Sequence, residues 1–429
     1  MKSKWRISLT AAVTAVGLLA PTTVANAAPA ELVMYTHTGG VSGEYKNILK
    51  TVTDFNKSQG KYKVVIKKFP QANYNDAIVA SAAANRLPCI MDIDAPVAPA
   101  WAYAGYLSPL TVPKSVTDKF QSSAKGVWNG KLYTLGFFEA AIGIFARKSI
   151  LNELGIRVAT IDKPWTLSEF NDAMAKAKAS GKYKWAISMG TGWTGEWYPY
   201  GYSPLLQSFG GDLIDRKSFK TSEGILNGTN ALKWGSWFQD IFAKGYAPKK
   251  ETGEERDNGF AKGEIAFAWN GSWGAEAAVK TLGSDFVVLP PPALGPKAYI
   301  GGGSWQWAIS STCPYKQGAN AWLTYAAQTK YQLNFVDEQL LLPVTAEAAS
   351  QSKYFGPNSE LGIFQKLSAK YALIRPATPA YPVIAKIFEV ATTNIINGAD
   401  VQKELDSAVD QINKNLKDNY YYVKAKNKQ

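Results

Sequence analysis

Short apolar runs alternate with helical spacings from the start of the chain. Leu32 to Thr36 is an apolar run, and Tyr45, Ile48, Leu49, Val52 and Phe55 follow at helical intervals. Val64 to Phe69 is a second run, and Tyr74, Ile78 and Ala82 mark a second helix. Ile90 to Ile93 is a third run, closing on Asp94. The order β-α-β-α-β predicts a mostly parallel sheet flanked by helices, an α/β class.

Turn chemistry organises the middle of the chain. Trp101 to Leu107 reads as helix, and Asn129-Gly130 between Trp128 and Lys131 predicts a hairpin. Lys131 to Phe138 then reads as a strand. Thr166-Leu167-Ser168-Glu169 is a capping box, Lys184 to Met189 a strand, and Pro204 suits a first helical turn. Trp234, Phe238, Ile241 and Phe242 share a helix face that stops at Gly245. Gly263 ends another helix, Ile265 to Trp269 is a buried strand, and Asn270-Gly271 predicts a sharp turn. Strands at Phe286 to Leu289 and Trp305 to Ser310 bracket Pro290–Pro292 and Gly301–Gly303. Beyond Ser311 the pattern is almost wholly helical. The chain shows no low-complexity linker.

The pattern Phe260-x-x-Gly263-x-x-Ala266-x-x-x-x-Gly271-x-Trp273, followed by the prolines, the glycines and Ala308-Ile309-Ser310, resembles a family. That family is the extracellular sugar-binding proteins of ABC importers, the maltose-binding-protein-like group. Three further stretches share the resemblance: Pro88 to Leu110, Asn129 to Ile156 followed by Pro164-Trp165-Thr166, and Gln339 to Thr345 with Pro343. Pro88-Cys89-Ile90 and Ala146-Arg147 depart from the usual Pro-Asp-Val and Tyr-Asn. The resemblance implies a two-lobed periplasmic-binding-protein fold with a multi-strand hinge. It implies lobe one at 28–138 and 302–342, and lobe two at 139–301 and 343–429. It also implies a monomer without enzymatic activity or cofactor, which captures a carbohydrate and delivers it to permease subunits in the membrane.

Composition narrows the remaining classes. The chain has 429 residues, 46% hydrophobic and 19% charged, which is globular and long enough for ~2–3 domains. Lys2, Lys4 and Arg6, an apolar run from Ile7 to Ala20, and Ala25-Asn26-Ala27 read as a signal peptide over 1–27, cleaved near Ala27. The reading is a soluble periplasmic product. The formal charge of +13 is scattered, without the aromatic-basic repeat of a nucleic-acid binder. Export permits a bond between the two cysteines, Cys89 and Cys313, but their spacing leaves bonded and free thiols both open.

The candidate chemistry is binding. Gly190-x-Gly192-x-x-Gly195 matches a dinucleotide fingerprint but is followed by Trp197, Tyr198 and Pro199 instead of a helix start. The sole histidine, His37, excludes multi-His metal sites. Asp92, Asp94, Glu139, Glu196 and Asp212 offer carboxylates, with no local motif marking a glycosidase pair. Aromatics reach 13%, with 14 Trp, and indoles suit the C–H face of a sugar while carboxylates and Arg take its hydroxyls. The expected site residues are His37, Tyr74, Asp94, Glu139, Trp193, Trp197, Trp269, Trp273, Gly302, Trp305 and Arg375, with Trp269, Trp273 and Trp305 exposed to the cleft. A non-sugar solute such as a polyamine or polyol is the alternative, and a secreted carbohydrate-active enzyme the more distant one.

Overall fold

The computed structural model describes Met1 and residues 28–423, apart from 41, 357, 358 and 360. Beyond Met1, the signal peptide read at 1–27 lies outside the described residues. The strands are β1 (Ala30–Thr36), β2 (Tyr62–Lys68), β3 (Ile90–Asp94), β4 (Leu107–Ser108), β5 (Lys125–Trp128), β6 (Lys131–Gly136) and β7 (Ile142–Arg147). They continue as β8 (Trp185–Ser188), β9 (Ile265–Gly271), β10 (Phe286–Leu289), β11 (Ile300–Gly302), β12 (Trp305–Ser310) and β13 (Ala372–Ile374).

Two sheets organise two halves. The first runs β2-β1-β3-β12-β6-β5, with β4 also paired to β12; the second runs β10-β7-β9-β8. β1 is parallel to β2 and β3, as the β-α-β pattern requires. β12, however, is antiparallel to both β3 and β6. In the second sheet β8 and β9 are parallel, while β7 is antiparallel to β9 and β10. The sheets are therefore mixed, not mostly parallel. A strand returning from the other half enters without the crossover helix that links consecutive parallel neighbours, so its direction is free to reverse.

Local chemistry explains most element ends. Asn129 and Gly130 have φ of 47° and 72°, the two positive values a type I′ hairpin needs between β5 and β6. Thr166 and Glu169 form the reciprocal capping box, and Gly263 at φ 86° stops the helix Gly253–Lys262. Two expectations change. The helix expected over Trp101 to Leu107 spans Ala98–Tyr103, and Leu107 pairs with Ser310 as a strand. Asn270-Gly271 continues β9 instead of turning, because both residues pair with β7.

The chain passes between the sheets from β6 to β7 and returns from β11 to β12. Beside the first passage, Glu139 and Leu342 exchange two backbone hydrogen bonds of 2.8 and 2.7 Å. β11 and β13 form a separate two-stranded parallel pair at this junction. The buried side chains follow the same division. One core gathers residues from 141–300 with residues from 336–416, and another gathers residues from 32–138 with residues from 307–344. Cys89 and Cys313 are disulfide-bonded, with Cα atoms 4.5 Å apart, just beyond the paired ends of β3 and β12.

Candidate functional site

Arg375, one residue past β13, stands at the junction of the halves and is 3% exposed. Its two terminal nitrogens donate to Asp94 Oδ2 and Oδ1, both at 2.7 Å. One also donates to Glu196 Oε2 at 2.8 Å and the other to the Gly303 carbonyl at 3.0 Å. The guanidinium lies 4.9 Å over the Tyr200 ring. Asp94 ends β3 of the first sheet, whereas Glu196 belongs to the loop after β8 of the second. One cation thus ties carboxylates from both halves. Tyr381 Oη donates to the same Glu196 oxygen at 2.6 Å.

Burial dominates the electrostatics. It pushes the Glu196 carboxyl up to about 7, despite the opposing charge of Arg375. Burial likewise raises Glu139 to about 7, although Ser123 and Arg375 pull the other way. Glu139 Oε1, Arg375 Nε and Ser272 Oγ are buried with no hydrogen-bond partner in the protein.

A second cluster backs this one. His37 is 1% exposed, with Nδ1 2.9 Å from Asp92 Oδ2 and Nε2 3.1 Å from Glu44 Oε2. Its ring stacks on Trp305 with centroids 3.4 Å apart. Burial would depress its pKa, but the charge and hydrogen bonds of Asp92, joined by Glu44, raise it to about 9. A raised folded pKa means the stabilisation is complete below the unfolded value, about 6.5, and is lost as pH rises through about 9. Urea unfolding should therefore show stability falling by on the order of 3 kcal/mol between pH 7 and 10. His37→Gln should flatten that slope; an unchanged slope would mean that His37 is not the group titrating.

Aromatic side chains line the remainder. Trp193 and Trp273 are half-buried and Trp197 is buried; Trp197 lies 4.5 and 6.2 Å from them by ring centroids. Tyr200 is 6.0 Å from Trp273 and joins this wall to Arg375. Trp273 packs against the cores of both halves.

Among the expected site residues, the structure brings Asp94, Glu139, Arg375, Trp273 and Trp305 to the junction, with Trp193 and Trp197 beside Trp273 and His37 behind Trp305. Three expectations are corrected. Trp269 is 2% exposed and donates its indole N–H to the Gly201 carbonyl at 2.9 Å, so it is core. All seven residues of β9 are buried, so the strand has no open face on which to present it. Tyr74 is fully buried, its hydroxyl bonded to the Asp92 carbonyl at 2.6 Å, and it supports β3 instead of facing a ligand. Gly302 is buried in β11, where a Cβ would come within 3.0 to 3.2 Å of Ile374 and Ala372; it admits β13 closely instead of offering backbone to a ligand. Of the glycine triplet, only Gly303 has a positive φ, 81°. Tyr200, Tyr381 and Ser272 were missed, and Glu196 was noted only as a carboxylate. The aromatic stretch after Gly195 was the one available signal for Glu196 and Tyr200.

The family model described as bacterial extracellular solute-binding protein matches residues 50–356. No curated protein matches the chain. The GacH receptor of Streptomyces glaucescens, solved unliganded and with acarbose, superposes with a TM-score of 0.77 at 20% identity, over 91% of this chain and 99% of that one. The maltose/maltodextrin-binding domain of Bdellovibrio bacteriovorus bound to maltotriose gives 0.74 at 16% identity, over 90% and 100%. The Thermus thermophilus maltotriose-binding protein gives 0.71 at 19% identity, over 90% and 100%. These likenesses establish a shared fold.

Proposed function

The chain belongs to the bacterial extracellular solute-binding protein family, and from that premise we propose that it captures a carbohydrate between its halves and delivers it to an ABC permease from the periplasm. One observation carries the choice of ligand. Partly exposed indoles stand beside a buried polar cluster at the junction of the halves: Trp305 pairs with Asp94 across the sheet, and Trp273, with Trp193 against it, is joined to Arg375 through Tyr200. Indoles cover the apolar C–H face of a pyranose, and carboxylates accept from its hydroxyl rim. The sugars named for the structural neighbours agree with this reading.

The proposed lobes are 28–138 with 302–342, and 139–301 with 343–429, and their closure is a hinge motion at the crossings. The distribution of the cores supports this division except over 336–344, whose side chains are shared between the two cores. No helix among the described residues is long and apolar enough to cross a membrane; in this scheme separate membrane subunits carry out the transport. The protein acts in this scheme as a monomer, with no bond made or broken.

Calorimetry with malto-oligosaccharides tests the reading. Trp273→Ala is expected to weaken binding by about tenfold to a hundredfold, the loss of a central aromatic anchor, while far-ultraviolet circular dichroism stays parental. Failure of every oligosaccharide to bind, with a polyamine binding instead, would replace the carbohydrate reading.

A further inference from the structure

We propose that the carbohydrate is one carrying a protonated amine, with that ammonium seated beside Glu139 at the junction of the halves. The inference rests on the carbohydrate reading and narrows it. Asp94, Glu139 and Glu196 converge on one guanidinium, Arg375. Asp94 takes both terminal nitrogens, and Glu196 shares one of them. Glu139 feels the charge of Arg375 but accepts no hydrogen bond from it: its Oε1 is buried and unpartnered, on a residue 2% exposed. The imbalance is local, since the chain as a whole carries a formal charge of +13. Behind Trp305 the balance leans the same way, with Asp92 and Glu44 around the single His37.

A buried carboxyl that shares its one counter-charge with two others is pushed toward its neutral form by desolvation. The groups facing Glu139 are Arg375, Asp94, Tyr200 and Ser123, and those facing Glu196 are Arg375, Asp94 and Tyr381; both glutamates are raised to about 7 despite Arg375. A sugar hydroxyl supplies Glu139 with a hydrogen bond and no charge. An ammonium supplies both.

Titration calorimetry of the full chain with kanamycin, a glucosamine trimer, maltotriose and spermidine tests this. At pH 7 an amine-bearing saccharide should bind at least about tenfold tighter than maltotriose, the equivalent of one unit of pKa displaced on binding. Its binding should release protons, seen as a heat that varies with the buffer's ionisation enthalpy, because ammonium binding ionises the glutamates. The preference should narrow toward pH 5.5, where the glutamates hold their protons. Glu139→Gln should cut both the preference and the proton release. Maltotriose binding as tightly as the amine-bearing saccharides, with no proton exchange, overturns the inference and leaves carbohydrate capture standing. Spermidine binding with no saccharide bound overturns both.

Discussion

Replacing Arg375 with methionine is expected to lower the unfolding free energy by about 3–5 kcal/mol, because it strands buried carboxylates without their cation. The guanidinium donates twice to Asp94 at 2.7 Å, to Glu196 at 2.8 Å and to the Gly303 carbonyl at 3.0 Å. Methionine fills much of the volume and none of that charge. Adding Asp94→Asn to the methionine variant should recover part of the loss, since an amide is cheaper to bury than an unpaired carboxylate. The interaction energy from the double-mutant cycle separates this coupling from a general packing defect. Urea denaturation measures all four proteins. A loss below about 1 kcal/mol, the range of exposed pairs, would show that water reaches the guanidinium and that the tie between the halves is weak.

Removing the Cys89–Cys313 disulfide should cost a similar amount. The bond closes a ring with a sequence separation of 224, for which the chain-entropy estimate is about 5 kcal/mol and the usual measured cost about 2–5 kcal/mol. The paired variant Cys89→Ser, Cys313→Ser should unfold at a lower urea concentration than the oxidised parent and match the parent in reductant. Ligand affinity of the folded fraction should not change, because neither cysteine touches the junction cluster. A midpoint unmoved by reductant would mean that the unfolded chain is no freer without the ring. The bond also favours an oxidising compartment, in agreement with the exported reading.

Features governed by neighbours in sequence were legible before the fold was seen. Asn129-Gly130 specified its hairpin, Thr166 and Glu169 their cap, and Gly263 its helix stop, because each turn chemistry acts within a few residues. Features set by distant parts of the chain were not. Trp269 and Trp273 are four residues apart and chemically identical, yet one closes a core and the other bridges two. Only the burial of both faces of β9 separates them, and that depends on β7, β8 and the packed helices. Asp94 and Arg375 could each be picked as polar candidates, but their mutual bond spans 281 positions. Tyr381 and Ser272 carry no local sign of their place. The bonded state of the cysteines likewise required the pairing of β3 with β12.

The position of β12 has a further consequence, for the timing of folding during synthesis. It lies between β3 and β6 in the first sheet, yet it ends at Ser310. Synthesis proceeds at about 5–20 residues per second, so the ribosome works for roughly 15–60 s before that strand exists. Until then β3 and β6 have an empty seat between them, and the strands already made lack the partner that joins them. On the proposed exported reading such a delay suits translocation, because a channel accepts an unfolded polypeptide and not a finished sheet. The first sheet therefore cannot be completed before position 310 has been made.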